Sequence, residues 1–332
     1  MQGGERGVSL FFLISGFILG LPFAAQHLEG GKCITLRDFY MRRLTRLEPP
    51  FILCLTLCFG LAVVRLHKPF GEVFAHFLAN LTYTHTLVYH ALSPINPVLW
   101  SLEVEAQFYL LMPIFALIYR VQSAILRRAL LIGVVLSVML IYPFFFPAGN
   151  VWGRFTALFS LPCFLLGMLL ADIYVTRWKS QPIASRLNNG VALLCVVAMF
   201  GVRESVEVDR LLMPWVMCLL MVSVLCGDLS KQVASLPTLC TIGGMCYSIY
   251  LFHYELIVVI SALTLRFAVT ENFLPNFMLQ SLLITPIVLG FCTVYYLYVE
   301  KPCMARDLPQ RLLAKFRKPS TSPVAIETGA KQ

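Results

Sequence analysis

Long, uninterrupted apolar runs separated by short basic connections dominate the pattern of this chain. Runs long enough to cross a bilayer, about 17–25 residues, fall at Gly7–Ala25, Pro49–Leu66, Val98–Tyr119, Ala129–Pro147, Phe155–Val175, Leu211–Gly227, Leu239–Leu263 and Phe277–Val299. A weaker run covers Asn188–Val202. The runs show no two-residue alternation, so they predict helices and not strands. The expected fold class is all-α: a polytopic transmembrane helix bundle of about nine spans. It occupies residues 1–304, followed by a short basic tail over 305–332 whose polar end is expected to be disordered.

Composition supports lipid as the solvent. The chain is 58% hydrophobic and 13% charged, whereas a soluble domain carries about 25% charge. The formal charge of +9 raises nucleic acid as a partner, but placement argues against it. Arg37, Arg42, Arg43 and Arg46, then Arg120, Arg127 and Arg128, then Arg177, Lys179 and Arg186, and the tail from Lys301 lie in connections that fall on one side if the spans alternate. The positive-inside rule makes that side, with the C-terminus, the cytosol, in a bacterial plasma (inner) membrane. The opposite side then holds the long connection His67–Pro97, within which Glu72–Leu81 has the apolar pattern of a helix lying along the membrane surface. The eleven cysteines are scattered, with no CxxC pair or Cys/His cluster. They read as packing residues, and no metal is expected. Gly7–Ala25 lacks the basic n-region of a cleavable signal peptide.

Four segments carry polar groups inside apolar runs. Trp100-Ser101-Leu102-Glu103-Val104-Glu105-Ala106-Gln107-Phe108-Tyr109 opens the third span. Helical spacing puts Ser101, Glu105 and Phe108/Tyr109 on one face, with Glu103 turned elsewhere, toward the outer interface. Ionisable groups inside spans are costly and mark function by default, so Glu105 reads as the lining of a polar cavity. The plainer alternative is a buried structural carboxylate. Arg43 and Arg46 share a helical face and could clamp a phosphate, yet spacing alone favours a purely topological role. His253 shares a face with Tyr250 and stands open between a packing residue and a proton carrier. Gly16 and Gly20 form a GxxxG pattern, read as close helix packing beside Ser15.

In register, these segments resemble the acyltransferase 3 family of membrane O-acyltransferases. Gly7–Phe17 is similar to the family's opening GVDLFFVLSGF segment, with Ser9 at the family aspartate. Arg43-Leu44-Thr45-Arg46 followed by Pro49 resembles its RxxR-plus-proline signature. Trp100–Tyr109 resembles WSLSVEEQFY with Glu105 at the family glutamate, Tyr247–His253 resembles YSLYLWH, and Glu300-Lys301-Pro302 resembles the closing E-x-P. The resemblance implies a bundle of usually ten helices that moves an acyl group, acetyl first among them, from acyl-CoA (acetyl-CoA) to a hydroxyl of a cell-envelope carbohydrate or glycolipid. It makes Glu105 and His253 catalytic candidates and Arg43 and Arg46 the donor-phosphate candidates. Ser15, Trp100, Ser101, Tyr109 and Tyr250 become cavity candidates.

The family also carries an earlier helix with an arginine and a catalytic histidine. Nine spans with a cytosolic C-terminus would start Met1 outside, so the expectation is a member lacking that first helix, either truncated or inactive. The partners expected are membrane lipid and a carbohydrate or glycolipid acceptor. The competing readings are a transporter or flippase, against which the lack of a visible internal repeat weighs, and a non-catalytic membrane scaffold.

Overall fold

The computed structural model describes residues 4–66, 69–147, 150–179, 185–202, 205–264 and 273–305. The polar tail expected to be disordered, and His67 in the long connection, lie outside the described residues. Every regular element among the described residues is helical. The principal helices are α1 (Gly4–Leu28), α2 (Leu36–Leu66), α3 (Phe70–Leu81), α4 (His85–Tyr89), α5 (Trp100–Phe115), α6 (Ala124–Phe145), α7 (Ala157–Ile173), α8 (Leu187–Gly201), α9 (Val206–Leu211), α10 (Met213–Cys226), α11 (Asp228–Ala234), α12 (Pro237–Gly244), α13 (Cys246–Thr264) and α14 (Phe273–Tyr295).

Seven helical stretches are long and apolar enough to cross a membrane, and an eighth arises if α10 and α11, bent by 95°, form one broken span. The ninth expected run, α8, is an apolar helix of 15 residues. Outer faces stay apolar where they meet nothing: Phe144 is 86% exposed, and Ile125, Leu140, Phe200, Phe273 and Leu282 are exposed as well. Such continuous apolar surface fits acyl chains and not water.

Two boundaries differ from the sequence reading. The second helix starts at Leu36 and runs through Pro49 and Pro50, so Arg43 and Arg46 ride on the helix instead of a loop before it. The disruption expected from proline in a helix interior is offset by neighbours. The Tyr247 and Tyr295 hydroxyls donate to the carbonyls of Leu47, at 3.0 Å, and Pro50, at 2.6 Å, as membrane helices commonly arrange around prolines. The run Leu239–Leu263 is broken at Met245 between α12 and α13, where Gly243 and Gly244 weaken the helix.

Buried side chains fall into two clusters. One gathers α1, α5, α6, α7, α8 and α10 around Phe12, Phe108, Phe164 and Met168. The other gathers α2, α3, α5, α13 and α14 around Phe51, Leu55, Leu251 and Tyr295. Helix α5 belongs to both, giving Val104, Phe108 and Met112 to the first and Leu102 to the second. In the first cluster α1 and α7 touch backbone to backbone: a Cβ on Gly16 would sit 2.0 Å from the Phe164 carbonyl oxygen, and one on Gly167 2.0 Å from that of Leu13. Glycine at these crossings lets the helices close.

Charges inside the bundle are paired across elements. Asp172 of α7 meets Arg127 and, at 2.7 Å, Arg128 of α6. Asp209 of α9 meets Arg6 of α1 at 2.8 Å and also Arg154. Glu255 of α13 meets Arg65 of α2 at 2.9 Å. Glu300 accepts from the backbone N–H and the hydroxyl of Ser248.

Helix α3 corrects the surface-helix expectation. Its Phe70, Phe74 and Phe77 all pack on Phe59 of α2, with ring centroids 5.0–6.2 Å apart. Beyond its end, Tyr83 stacks on Phe51 at 5.0 Å. The segment thus doubles back along α2 from Phe59 toward Phe51, because its aromatic face finds a partner there. Glu103, expected at the outer interface, is buried and accepts the backbone N–H groups of Thr86 (2.9 Å) and Leu87 (3.3 Å) in α4. His85 is buried beside His76, ring nitrogens 2.9 Å apart, and both rings stack near Tyr89. Burial, then the neighbouring His76, pushes His85 down to about 4.

Two predictions follow from this packing. Gly16→Val should lower thermal stability in detergent, by about 1–3 kcal/mol as for other overpacked sites, while Gly60→Ala, whose Cβ meets nothing within 4 Å, should leave it unchanged. Because the folded state holds His85 below its ordinary value near 6.5, the folded chain binds fewer protons than the unfolded one between the two values. Stability is therefore full above that window and is lost as pH falls through it. The melting temperature should drop between pH 7 and pH 5, and drop less in His85→Asn.

Candidate functional site

The site starts at the entry to α5. Asn96 caps that region by accepting the Val98 N–H and donates its amide to the Leu251 carbonyl at 3.0 Å, pinning the start of α5 against α13. From there helical spacing carries Ser101, Glu105 and Tyr109 down one face. Glu105 is buried where the two clusters meet. Its Oε1 accepts the Tyr109 hydroxyl and, at 3.4 Å, the Ser15 hydroxyl from α1. Among the described residues it has no ion-pair partner, although Arg43 and Arg46 stand within electrostatic reach.

Arg43 approaches from α2. Its guanidinium lies 3.7 Å over the Phe39 ring and 5.6 Å from that of Tyr109. Nη1 donates to the Phe39 carbonyl at 2.9 Å. Nε is buried and donates to nothing among the described residues. Cation–π contact and one carbonyl hold the arginine in place without neutralising it. Arg46, one turn on, is exposed.

A cavity of about 280 Å³ opens beside this arginine. Arg43, Leu44, Leu47 and Glu48 of α2 line it, together with Leu102, Ala106 and Tyr109 of α5 and Tyr83. Tyr83 reaches it from the segment that doubles back along α2 and donates its hydroxyl to Glu48 Oε1 at 2.9 Å. Its φ of 55° is a left-handed conformation that costs a bulky residue on the order of 1–3 kcal/mol. The stack on Phe51 and the bond to Glu48 hold it there. Burial, with the Glu48 charge second, keeps the Tyr83 hydroxyl well above its usual range, so it remains a donor.

Of the residues singled out in the sequence, the structure brings Ser15, Glu105, Tyr109 and Arg43 into one chain of contacts, and of these Arg43 and Tyr109 line the cavity. Ser101 and Tyr250 sit one turn away: the Ser101 hydroxyl donates to the Tyr250 hydroxyl at 2.9 Å, and Tyr250 donates to the Val98 carbonyl. Trp100 packs edge-on to Phe12 and Phe155, outside the cavity lining. His253 lies nearly two turns beyond Tyr247, about 9 Å along the axis of α13, toward the Arg65–Glu255 end. Its Nδ1 faces the Ile249 and Tyr250 carbonyl oxygens at 3.0 and 2.8 Å. Carbonyls only accept, so the proton sits on Nδ1 and Nε2 is left to accept.

Glu48 and Tyr83 went unmarked in the sequence. Glu48 falls at the edge of an apolar run, where a carboxylate is unremarked, and its partner is 35 positions away. Among the described residues, no group of three or more His, Cys, Asp and Glu could hold a metal ion.

The site's parts are a fixed, unneutralised guanidinium, a tyrosine-linked carboxylate behind it, and a second carboxylate opposite. Such a set can bind an anion, orient a hydroxyl and handle its proton. Comparison with known proteins agrees with that chemistry. The chain is 26% identical over 294 residues to the O-acetyltransferase OatA of Staphylococcus aureus, covering 79% of this chain and 47% of that protein. It is 26% identical over 290 residues to the putative peptidoglycan O-acetyltransferase YrhL of Bacillus subtilis, covering 77% and 45%. It is 25% identical over 305 residues to the peptidoglycan O-acetyltransferase OatA of Listeria monocytogenes, covering 83% and 47%. The chain thus spans about half the length of these curated relatives. No solved structure matches. The family profile described as an acyltransferase domain matches residues 3–297, nearly the whole bundle with Arg43, Glu105 and His253 inside it, and the chain belongs to this acyltransferase 3 family.

Proposed function

We propose that the chain is a membrane O-acetyltransferase that takes the acyl group of acetyl-CoA from the cytosolic side and places it on a hydroxyl of a cell-wall carbohydrate of the peptidoglycan class. The names of its relatives supply the acceptor class, and the basic connections supply the orientation, with the C-terminus cytosolic and the membrane a bacterial plasma membrane. The observation that carries the reading is Arg43: a guanidinium inside a span, without a carboxylate partner among the described residues, facing a cavity. Charge in that setting is costly unless a ligand meets it, and a CoA phosphate is a suitable counter-ion. Arg46, exposed one turn further on, extends the clamp.

In this account the acceptor oxygen attacks the thioester carbonyl carbon. The new C–O bond forms, the C–S bond breaks, and the sulfur leaves to take up a proton as the free thiol. The proton of the attacking hydroxyl must move as the bond forms. Glu105, reached through the Tyr109 hydroxyl, is the carboxylate we assign to that task, with Ser15 orienting it. His253, with Nε2 open, serves as a second proton-handling group from the Tyr250 side. Holding both substrates at one point supplies most of the remaining advantage.

The test uses the full chain in nanodiscs with radiolabelled acetyl-CoA and muropeptides. Arg43→Ala should raise the donor KM by about 10–100-fold, the loss of one or two charge-assisted hydrogen bonds, with Arg43→Lys intermediate. Unchanged donor KM in Arg43→Ala would contradict the clamp. Glu105→Gln should cut turnover by about 100-fold or more, the usual share of general acid–base catalysis, at normal membrane levels. Turnover equal to the unaltered chain would leave Glu105 a structural group.

A further inference from the structure

The cavity holds a second charged wall that the donor clamp does not use. Glu48 is half-buried on α2, five positions beyond Arg43, and lines the same void. The two opposite charges face one space yet make no ion pair. Each is held off by something else: Arg43 by the Phe39 ring and carbonyl, Glu48 by the Tyr83 hydroxyl on Oε1. Among the described residues no donor reaches Glu48 Oε2. Other buried carboxylates in the bundle are met by arginines, hydroxyls or backbone N–H groups from neighbouring helices. Glu48 is different in that its open oxygen looks into the cavity.

The direction from which Tyr83 arrives says what that oxygen is for. Arg43 sits toward the starting end of α2, whereas Tyr83 comes in on α3, which leaves the far end of α2 and runs back along it. One wall of the cavity is thus built from the donor-side end of α2 and the other from a segment entering from the opposite end. An acceptor that comes from that opposite end meets Tyr83 and Glu48 first. A carboxylate oxygen offers only acceptor capacity, so it selects a ligand rich in hydroxyl donors. The flanking faces of Tyr83, Tyr109 and Leu47 suit the apolar carbons of a sugar ring.

We propose that Glu48, seated by Tyr83, is the hydroxyl-recognition group for the carbohydrate acceptor: its free oxygen accepts a hydrogen bond from a sugar hydroxyl and sets the acceptor against the donor held at Arg43. This rests on the acyltransferase reading and adds the acceptor subsite to it. Glu48 is a positioning residue here, and the left-handed Tyr83 is its support. Because it touches the acceptor and not the donor, its loss splits the two Michaelis constants.

The experiment uses the full chain in nanodiscs, radiolabelled acetyl-CoA as donor and chitotriose as acceptor, with each KM measured separately. Glu48→Gln should raise the acceptor KM about tenfold or more, the effect of removing one charged hydrogen-bond partner, and leave the donor KM within about twofold. Tyr83→Phe keeps the stack on Phe51 and removes only the hydroxyl, so it should show the same split with a smaller rise. Transfer to chitotriose with an unchanged acceptor KM in both variants would overturn the Glu48 assignment alone, as would a donor KM that rises in step with it. No transfer to chitotriose by the unaltered chain would overturn this assignment together with the acyltransferase reading.

Discussion

A charge inside hydrocarbon has to be met by something, because water is not there to meet it. That requirement organises this bundle. Asp172 is met by two arginines, Asp209 by Arg6 and Arg154, Glu255 by Arg65, and Glu300 by Ser248. Each pairing ties helices that are distant in sequence, and together they fix how α1, α6, α7, α9 and α13 stand. Arg43 escapes the pattern. It is held by an aromatic ring and a carbonyl, which orient a guanidinium without cancelling its charge. The Glu105–Tyr109–Ser15 contacts behind it complete a polar centre at the seam between the two buried clusters.

The location of that seam has a structural cause. Helix α5 serves both clusters, so its Ser101–Tyr109 face lies where α1, α2 and α13 converge. Helices α1 and α7 close tightly through Gly16 and Gly167, which makes the first cluster a firm support for Ser15. On the other side, α3 folds back on α2 through Phe59, Phe70, Phe74 and Phe77. This carries Tyr83 into the bundle beside Phe51 and Glu48. A reaction that joins a donor from one side to an acceptor from the other needs such a meeting point, and rigid elements suit it better than loops.

Much of this was legible in the residue pattern. Apolar runs of spanning length located the helices, and the charged and polar residues of Trp100–Tyr109 marked the centre because few other polar groups share a span. What stayed hidden depended on contacts between segments. Continuation of α2 through Pro49 and Pro50 relies on hydroxyls from Tyr247 and Tyr295, some two hundred positions away. The fold-back of α3 relies on Phe59, and the burial of Glu103 on the N–H groups of α4. Arg6 with Asp209 and Glu48 with Tyr83 are pairs that no local spacing rule joins. Arg43 and Arg46, alike in sequence, separate in the structure: one is aimed at the cavity and the other is exposed.

The central claim is that Arg43 is the arginine that waits for the donor's phosphates. A structure of the chain with a non-hydrolysable acetyl-CoA thioether tests it most directly. The account predicts a phosphate oxygen within hydrogen-bonding distance of the Arg43 guanidinium and the acyl carbon between Tyr109 and Glu48. A donor bound elsewhere, with Arg43 still on Phe39 and its Nε unmet, would contradict it.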